Sequence, residues 1–552
     1  MCGVMSASMP AVPSAKALSA RPPGAGWVVL AMGLAALVAL PVVVVAANLA
    51  APTEGVWSHL AETVLGSYVA NSLWLMLGVG IGVGIGGVGT AWLVTMCRFP
   101  ASRHLEWALL LPMAMPAYVV AYTYTGMLDY AGPVQSSLRA LFGWKSARDY
   151  WFPEVRSLGG AIWVMSMVLY PYVYMMARAA FLEQSVCVLE AARTLGRSPW
   201  RAFVQVALPL ARPAVVAGVA LALMETLNDF GTVHYFAVDT FTTGIYRTWL
   251  GLGQPAAAAQ LGAVLMLFVL SLVLAERMSR GAARFHHTTG RYRRLPQLEL
   301  RGAKALAALA FSTMPLVLGF LMPGVMLAAW VVQDGALSGL GELAGNSLIL
   351  AGMAGAAAVA VALPLAYAQR LRPTPLVKGC VRLASLGYAV PGSVIAVGIM
   401  VPLAALDRLL GGLFLTGTVV ALTYAYLVRF LAVSVNAVES SLGKITPSME
   451  AAARTLGAGL GKTLRRVHIP MMRTSLLSAA LLVFVDVMKE LPATLLMRPF
   501  NFDTLATRTF TLASDERLAD AAAPALAIVA AGLLPVMLLS RAIARSRPGE
   551  EE

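Results

Sequence analysis

Charge is scarce in this sequence. Only 12% of its 552 residues are Asp, Glu, Lys or Arg, about half the share of a soluble chain. A water-soluble fold would have to bury almost every helix on all sides, and the composition excludes it. Cysteine is nearly absent as well. Cys2, Cys97, Cys187 and Cys380 all fall in segments read as lying at or near the cytoplasmic side, which excludes a disulfide framework. Histidine offers no ligand cluster: His234 stands alone, and His286 and His287 sit in a basic stretch. A phosphate loop is missing too. The nearest candidate, Gly457 to Thr463, has Leu456 where the pattern needs its first glycine. No ATPase, catalytic residue, metal or cofactor is expected within the chain, which is therefore not itself an enzyme.

What fills the sequence is apolar. Hydrophobic residues make up 59% of it, and many runs reach the roughly 20 residues that a helix needs to cross a bilayer. Six such segments lie near 27–49, 66–96, 105–128, 158–180, 208–233 and 256–276, and six more near 306–332, 344–369, 383–405, 415–437, 471–492 and 521–541. The expected fold is an all-α polytopic membrane protein of about 12 transmembrane helices in two parallel six-helix repeats. Residues 1–26 read as a cytoplasmic arm without a cleaved signal, 27–276 as the first half, 277–305 as a basic linker, 306–541 as the second half and 542–552 as a tail. The net charge of +14 then belongs to cytoplasmic loops facing membrane lipid, not to a nucleic-acid surface. Segment 50–65 has Glu54 and Glu62 but no Lys or Arg, whereas 178–212, 277–304 and 541–547 are rich in arginine. Both termini accordingly read as cytoplasmic, in a multi-pass membrane protein.

One stretch occurs twice. Glu190 to Pro209 reads EAARTLGRSPWRAFVQVALP, and the stretch ending at Pro470 reads AAARTLGAGLGKTLRRVHIP. Gly196 and Gly457 are 261 apart, as are Pro209 and Pro470. The same offset pairs Phe241 with Phe502, Thr243 with Thr504, Arg247 with Arg508 and Thr248 with Thr509, which marks an internal duplication. Asn71 and Asn346, and Pro116 and Pro391, repeat at 275. Tyr170 and Tyr424 stand 254 apart, which implies an insertion in the first half, near 129–157, and about seven extra residues in the second just before its motif. In each copy an Ala-rich helix, a turn at the glycine and a basic amphipathic stretch make a docking surface between the fourth and fifth spans, with proline opening the next span. Gly78, Gly82 and Gly86 give the second span a flat packing seam.

The doubled motif resembles the EAA loop of permease subunits in binding-protein-dependent ABC importers. Its matching positions are Glu190, Ala191, Ala192, Gly196 and Pro209, then Ala451, Ala452, Ala453, Gly457 and Pro470. In the second copy the acid, Glu450, lies one residue early. The resemblance implies the type I permease fold and coupling helices at 190–209 and 450–470, held by two ATP-binding cassette ATPase subunits. It also implies a periplasmic solute-binding protein docked outside.

A second doubled feature lies in the fifth spans. Glu225 pairs with Asp486 and Asp229 with Glu490 at offset 261. Within each span the acids are four residues apart and share a helical face. Carboxylates at such depth are costly and face a pathway or a partner, so these four are expected to line a central pathway, with Lys489 as a rival partner for Glu490. The segments FAVDTFTTGIYRTW and KELPATLLMRPFNFDTLATR resemble the iron(III)-type permeases with two halves fused in one chain, which implies ferric iron as cargo. Arg247 and Arg508 are expected to face outward and meet the binding protein. Thiamine, sulfate, phosphonate and polyamine remain open as other cargoes of such a permease, and a gradient-driven secondary transporter remains open as a different class.

Overall fold

The structure, a computed structural model, describes residues 25–53, 55–183, 198–280, 297–334, 339–412 and 414–545. Each of the twelve apolar segments falls on helix. We number the principal helix of each α1 (Ala25–Ala47), α2 (Leu65–Met96), α3 (Ala117–Leu128), α4 (Leu158–Glu183), α5 (Leu208–Asn228), α6 (Pro255–Arg280), α7 (Ala303–Gln333), α8 (Leu340–Leu371), α9 (Gly392–Leu410), α10 (Val419–Gly443), α11 (Ile469–Met488) and α12 (Leu518–Arg545). Among the described residues, ten helical segments are long and apolar enough to cross a membrane. An eleventh crossing is bent by 90° where Ser102–Ala114 meets Ala117–Phe142, and α12 is apolar over Leu518–Leu533. Pro116 sits at that bend with extended backbone, just before α3, where its missing N–H costs no bond of the helix.

The faces of α2 show how the bundle is built. Leu77, Ile81 and Ile85, four residues apart, are exposed and make a lipid-facing stripe. The glycine seam turns the other way. A Cβ on Gly78 would meet Ile162 at 2.6 Å, and one on Gly82 would meet the Ser166 side chain, so α2 and α4 are in backbone-close contact.

The first helix of each half leaves its own group. α1 packs on α8 and α9 of the second half and on α6 of its own, while α7 packs on α2, α3 and α4 of the first half and on α12 of its own. Matching hydrogen bonds pin the two exchanges. Tyr424 donates to the Leu37 carbonyl at 2.5 Å, and Tyr124 donates to the Leu318 carbonyl at 3.0 Å. Gly398 lies against the backbone of Pro41, and Gly319 against that of Met167. The described end of the basic linker is also anchored, since Leu298–Glu299 pairs in parallel with Cys97–Arg98.

Structural landmarks correct the register of the repeat. Ser157 accepts the Gly160 N–H at the start of α4, and Thr418 accepts the Ala421 N–H at the start of α10. These capping residues are 261 apart (418 − 157 = 261), the same as Gly196 and Gly457. The seven extra residues implied by Tyr170 and Tyr424 are therefore absent, and that tyrosine match is coincidental. The first half's insertion is 14 residues (275 − 261 = 14), falling between Pro116 and Ser157, where helix Pro133–Phe142 lies. A second correction follows span five. Thr240 with Thr243 and Thr504 with Thr507 form matching capping boxes, and Asn71 and Asn346 donate to the carbonyls of Asp239 and Asp503. The offset there is 264 (504 − 240 = 264). Arg247 and Arg508 are not equivalent positions, nor are Phe241 and Phe502, Thr243 and Thr504, or Thr248 and Thr509.

Candidate functional site

α5 and α11 stop at Asn228 and Met488, and the chain restarts at once as the short helices Gly231–Tyr235 and Pro492–Met497. A helix start carries N–H groups with no partner of their own, and at each break an acid supplies one. Asp229 accepts the Thr232 N–H at 2.9 Å, the Val233 N–H at 3.2 Å and the Thr232 hydroxyl at 3.0 Å. Glu490 accepts the Ala493 N–H at 2.9 Å, the Thr494 N–H at 3.1 Å and the Thr494 hydroxyl at 2.6 Å. The duplication is thus kept down to single hydrogen bonds, and these two acids serve as caps.

Glu225 and Asp486, one turn earlier, are not caps. Together with Asp229 and Glu490 they line one cavity of about 120 Å³ between the halves. Tyr118, Tyr172 and Met115 come to it from the first half, and Tyr388, Arg429 and Lys489 from the second. Lys489 pairs with Asp486 at 3.1 Å and not with Glu490, because residues three apart on a helix face each other and adjacent ones do not. The volume is that of a few water molecules.

Arg429, on α10, was missed in the sequence, although a lone arginine inside an apolar span was a usable signal. Its side chain is 8% exposed, with Glu490 at 3.4 Å and Glu225 at 4.0 Å. It also donates to the Asn228 side-chain oxygen at 3.0 Å. That same oxygen accepts the Gly392 N–H at 2.7 Å. Four carboxylates against two cations leave the cavity formally negative by two (4 − 2 = 2). Among the described residues, no three of His, Cys, Asp or Glu gather closely enough to hold a metal ion.

At the opposite end of α5 and α11 lies the doubled motif. Glu190, Ala191, Ala192 and Gly196 fall outside the described residues. The second copy is described: Glu450, Ala452 and Ala453 lie on helix Pro447–Thr455. Gly457 follows with φ +77°. Its N–H bonds to the Arg454 carbonyl and the Ala458 N–H to the Ala453 carbonyl, the two bonds of a glycine-terminated helix end. Glu450 turns inward, accepting the Arg370 Nε–H at 2.6 Å, with His468 at 3.2 Å. Met449 and Leu456 are left 42% and 87% exposed. Beyond the glycine, both copies enter the membrane through one widened turn, Phe203–Ala207 and Leu464–His468, just ahead of Pro209 and Pro470.

At the far end, Arg247 is half exposed and pairs with Asp239 at 2.8 Å. Arg508 is partly buried on helix Leu505–Ser514. Asp503, the counterpart of Asp239, pairs instead with Arg498.

Comparison with known proteins fits this layout. Residues 78–281 match the family described as binding-protein-dependent transport system inner membrane component. The Fe(3+)-transport system permease protein FbpB 2 of Haemophilus influenzae is 27% identical over 485 residues, covering 86% of this chain and 90% of that protein. Over most of its length the chain is therefore similar to binding-protein-dependent ABC permeases, with two halves in one polypeptide. The permease is also 24% identical over 461 residues to the ferric transport system permease protein FbpB of Actinobacillus pleuropneumoniae, covering 80% of this chain and 66% of that one. Over 201 residues it is 28% identical to the molybdenum transport system permease protein ModB of Escherichia coli, which covers 35% of this permease.

Proposed function

We propose that the permease carries ferric iron through the cavity between its halves, in an importer powered by two separate ATPase subunits and supplied by a periplasmic binding protein. Carboxylates at doubled positions around one cavity carry this reading. Hard oxygen ligands suit a ferric ion, and a formally negative wall disfavours oxyanions such as molybdate or sulfate. The Haemophilus and Actinobacillus relatives described above are named for Fe(3+) or ferric transport, which agrees with that choice.

In this reading Glu225 and Asp486 face the passing ion, while Asp229 and Glu490 hold the short helices that close the passage. Pro447–Thr455 is a coupling helix, and the first-half copy of its motif, residues 190–209, supplies the second ATPase contact, both facing the cytoplasm with the two termini. Met449 and Leu456 supply the apolar contact that an ATPase groove would cover. ATP-driven closure of the ATPases moves these helices, and the halves rock about the cavity.

The test is uptake by proteoliposomes that hold the permease, its ATPases and the binding protein. ATP-dependent accumulation of ferric iron, undiminished by excess molybdate or sulfate, is expected. Accumulation of an oxyanion in place of iron would overturn the substrate. A permease that transports with no ATPase present would be a gradient-driven carrier.

A further inference from the structure

We propose that Arg429 is a charge-selective latch: it ties the two halves together across the cavity, and a multivalent cation loosens it by taking over the carboxylate of Glu225, the weakest of its ties. The proposal rests on the cavity being the pathway, and it adds a residue that selects what passes.

The contacts of this one guanidinium span the boundary between the halves. Asn228 and Glu225 belong to the first half, Glu490 and Gly392 to the second, and Arg429 or the Asn228 oxygen touches each of them. The ties differ in strength. Glu490 is already held by three donors of its own helix start, and Asp486 is held by Lys489. The contact with Glu225, at 4.0 Å, is the loosest of the set. Glu225 is therefore the carboxylate that an entering cation would win first, while Arg429 keeps Glu490 and is never left buried without a partner.

The site is built to hold this side chain. A Cβ on Gly392 would run into Arg429 Nη1 and come within 2.8 Å of Glu490 Oε1, so the glycine provides the room. The first half has neither residue. At the corrected offsets Arg429 corresponds to Val168 (429 − 168 = 261) and Gly392 to Ala117 (392 − 117 = 275). Val168 and Ala117 line the same cavity. The duplicated pathway thus carries a latch on one wall only, and the glycine is found with the arginine.

Charge decides what opens it. At equal distance a trivalent ion attracts a carboxylate three times as strongly as a guanidinium does. A monovalent ion gains nothing over Arg429 and is repelled by it, as cations are by arginines in narrow pores.

The experiment uses the whole complex in proteoliposomes and compares ATPase rates with and without loaded binding protein. Arg429→Val with Gly392→Ala installs the pair that the first half carries, which avoids leaving a void beside Gly392. This variant should raise the unstimulated rate about tenfold, a shift of about 1.4 kcal/mol in the latch equilibrium, and bring the stimulation ratio close to one. Glu225→Gln should raise the unstimulated rate in the same direction, and Arg429→Lys, which keeps the charge but not the forked donors, should raise it less than the valine variant does. A potassium leak in the valine variant, absent from wild type, would further support the latch. A double variant that co-purifies with its ATPases in normal yield and keeps the wild-type ratio would overturn it. So would a lysine variant as uncoupled as the valine one. The ratio does not depend on which cargo the binding protein brings. An altered ratio without ferric uptake by wild type would leave the latch standing and remove iron.

Discussion

Glu450 accepts the Arg370 Nε–H at 2.6 Å, and this pair joins the motif helix of the second half to the end of α8. Arg370 also donates to the Ile445 carbonyl at 2.6 Å and to the Leu442 carbonyl, so one side chain gathers the whole approach to the motif helix. Both partners are less than one-fifth exposed. Glu450→Ala should loosen residues 445–455 by about 1–3 kcal/mol, below the cost of breaking a fully buried pair. Hydrogen exchange should rise there and nowhere in the spans. ATPase stimulation should fall with it, and unchanged exchange would make the pair incidental.

Gly457 makes the turn after that helix with φ +77° and open space around it. Its need for glycine is conformational and not steric. Gly457→Val should cost about 1–2 kcal/mol locally, leave membrane insertion intact, and abolish stimulation by the loaded binding protein. Gly457→Asn, which tolerates left-handed backbone, should retain most of it. Equal loss in both variants would point to a contact with the ATPase at that position.

The four cavity acids separate into two kinds. Asp229→Ala removes three hydrogen bonds at one helix start and should destabilise the permease by about 1–3 kcal/mol, read as a lower melting temperature in detergent. Glu225→Gln should leave that temperature unchanged and cut iron uptake at least about tenfold. Reversed outcomes would exchange the roles of cap and pathway.

Arg247 and Arg508 should not behave alike. Arg247→Glu breaks the pair with Asp239 on an exposed surface, and should weaken docking of the binding protein several-fold at low salt. The difference should shrink as salt screens it. Arg508→Glu, at the position that corresponds to Gly244 (508 − 244 = 264), should act mainly on local packing. Titration of each variant with loaded binding protein at two ionic strengths checks both statements.

The twelve helices were legible because a span is a property of composition along one segment, and apolar runs show it directly. The doubled acids were legible because both copies keep them. Register beyond the motif was not. A tyrosine match at 254 and an arginine match at 261 looked as good as true equivalences, and only the caps at Ser157, Thr418, Thr240 and Thr504 separate them. Arg429 escaped notice because it has no counterpart in the first half, so a reading guided by repetition passes over it. Neighbours were hidden as well: α-helical periodicity reports which face of a segment is apolar, not which segment will cover it.

The exchanged first helices set a timetable for assembly. α1 ends at Ala47, and the first residue of α9, one of its partners, is Gly392. The ribosome must add 345 residues after Ala47 to reach Gly392 (392 − 47 = 345), which takes roughly 17–70 s at ordinary elongation rates. For that interval α1 is inserted while its far neighbour does not yet exist, so it must be kept near the growing bundle by lipid, by α6 once that is made, or by the insertion machinery. The two halves are consecutive as sequence but are completed together.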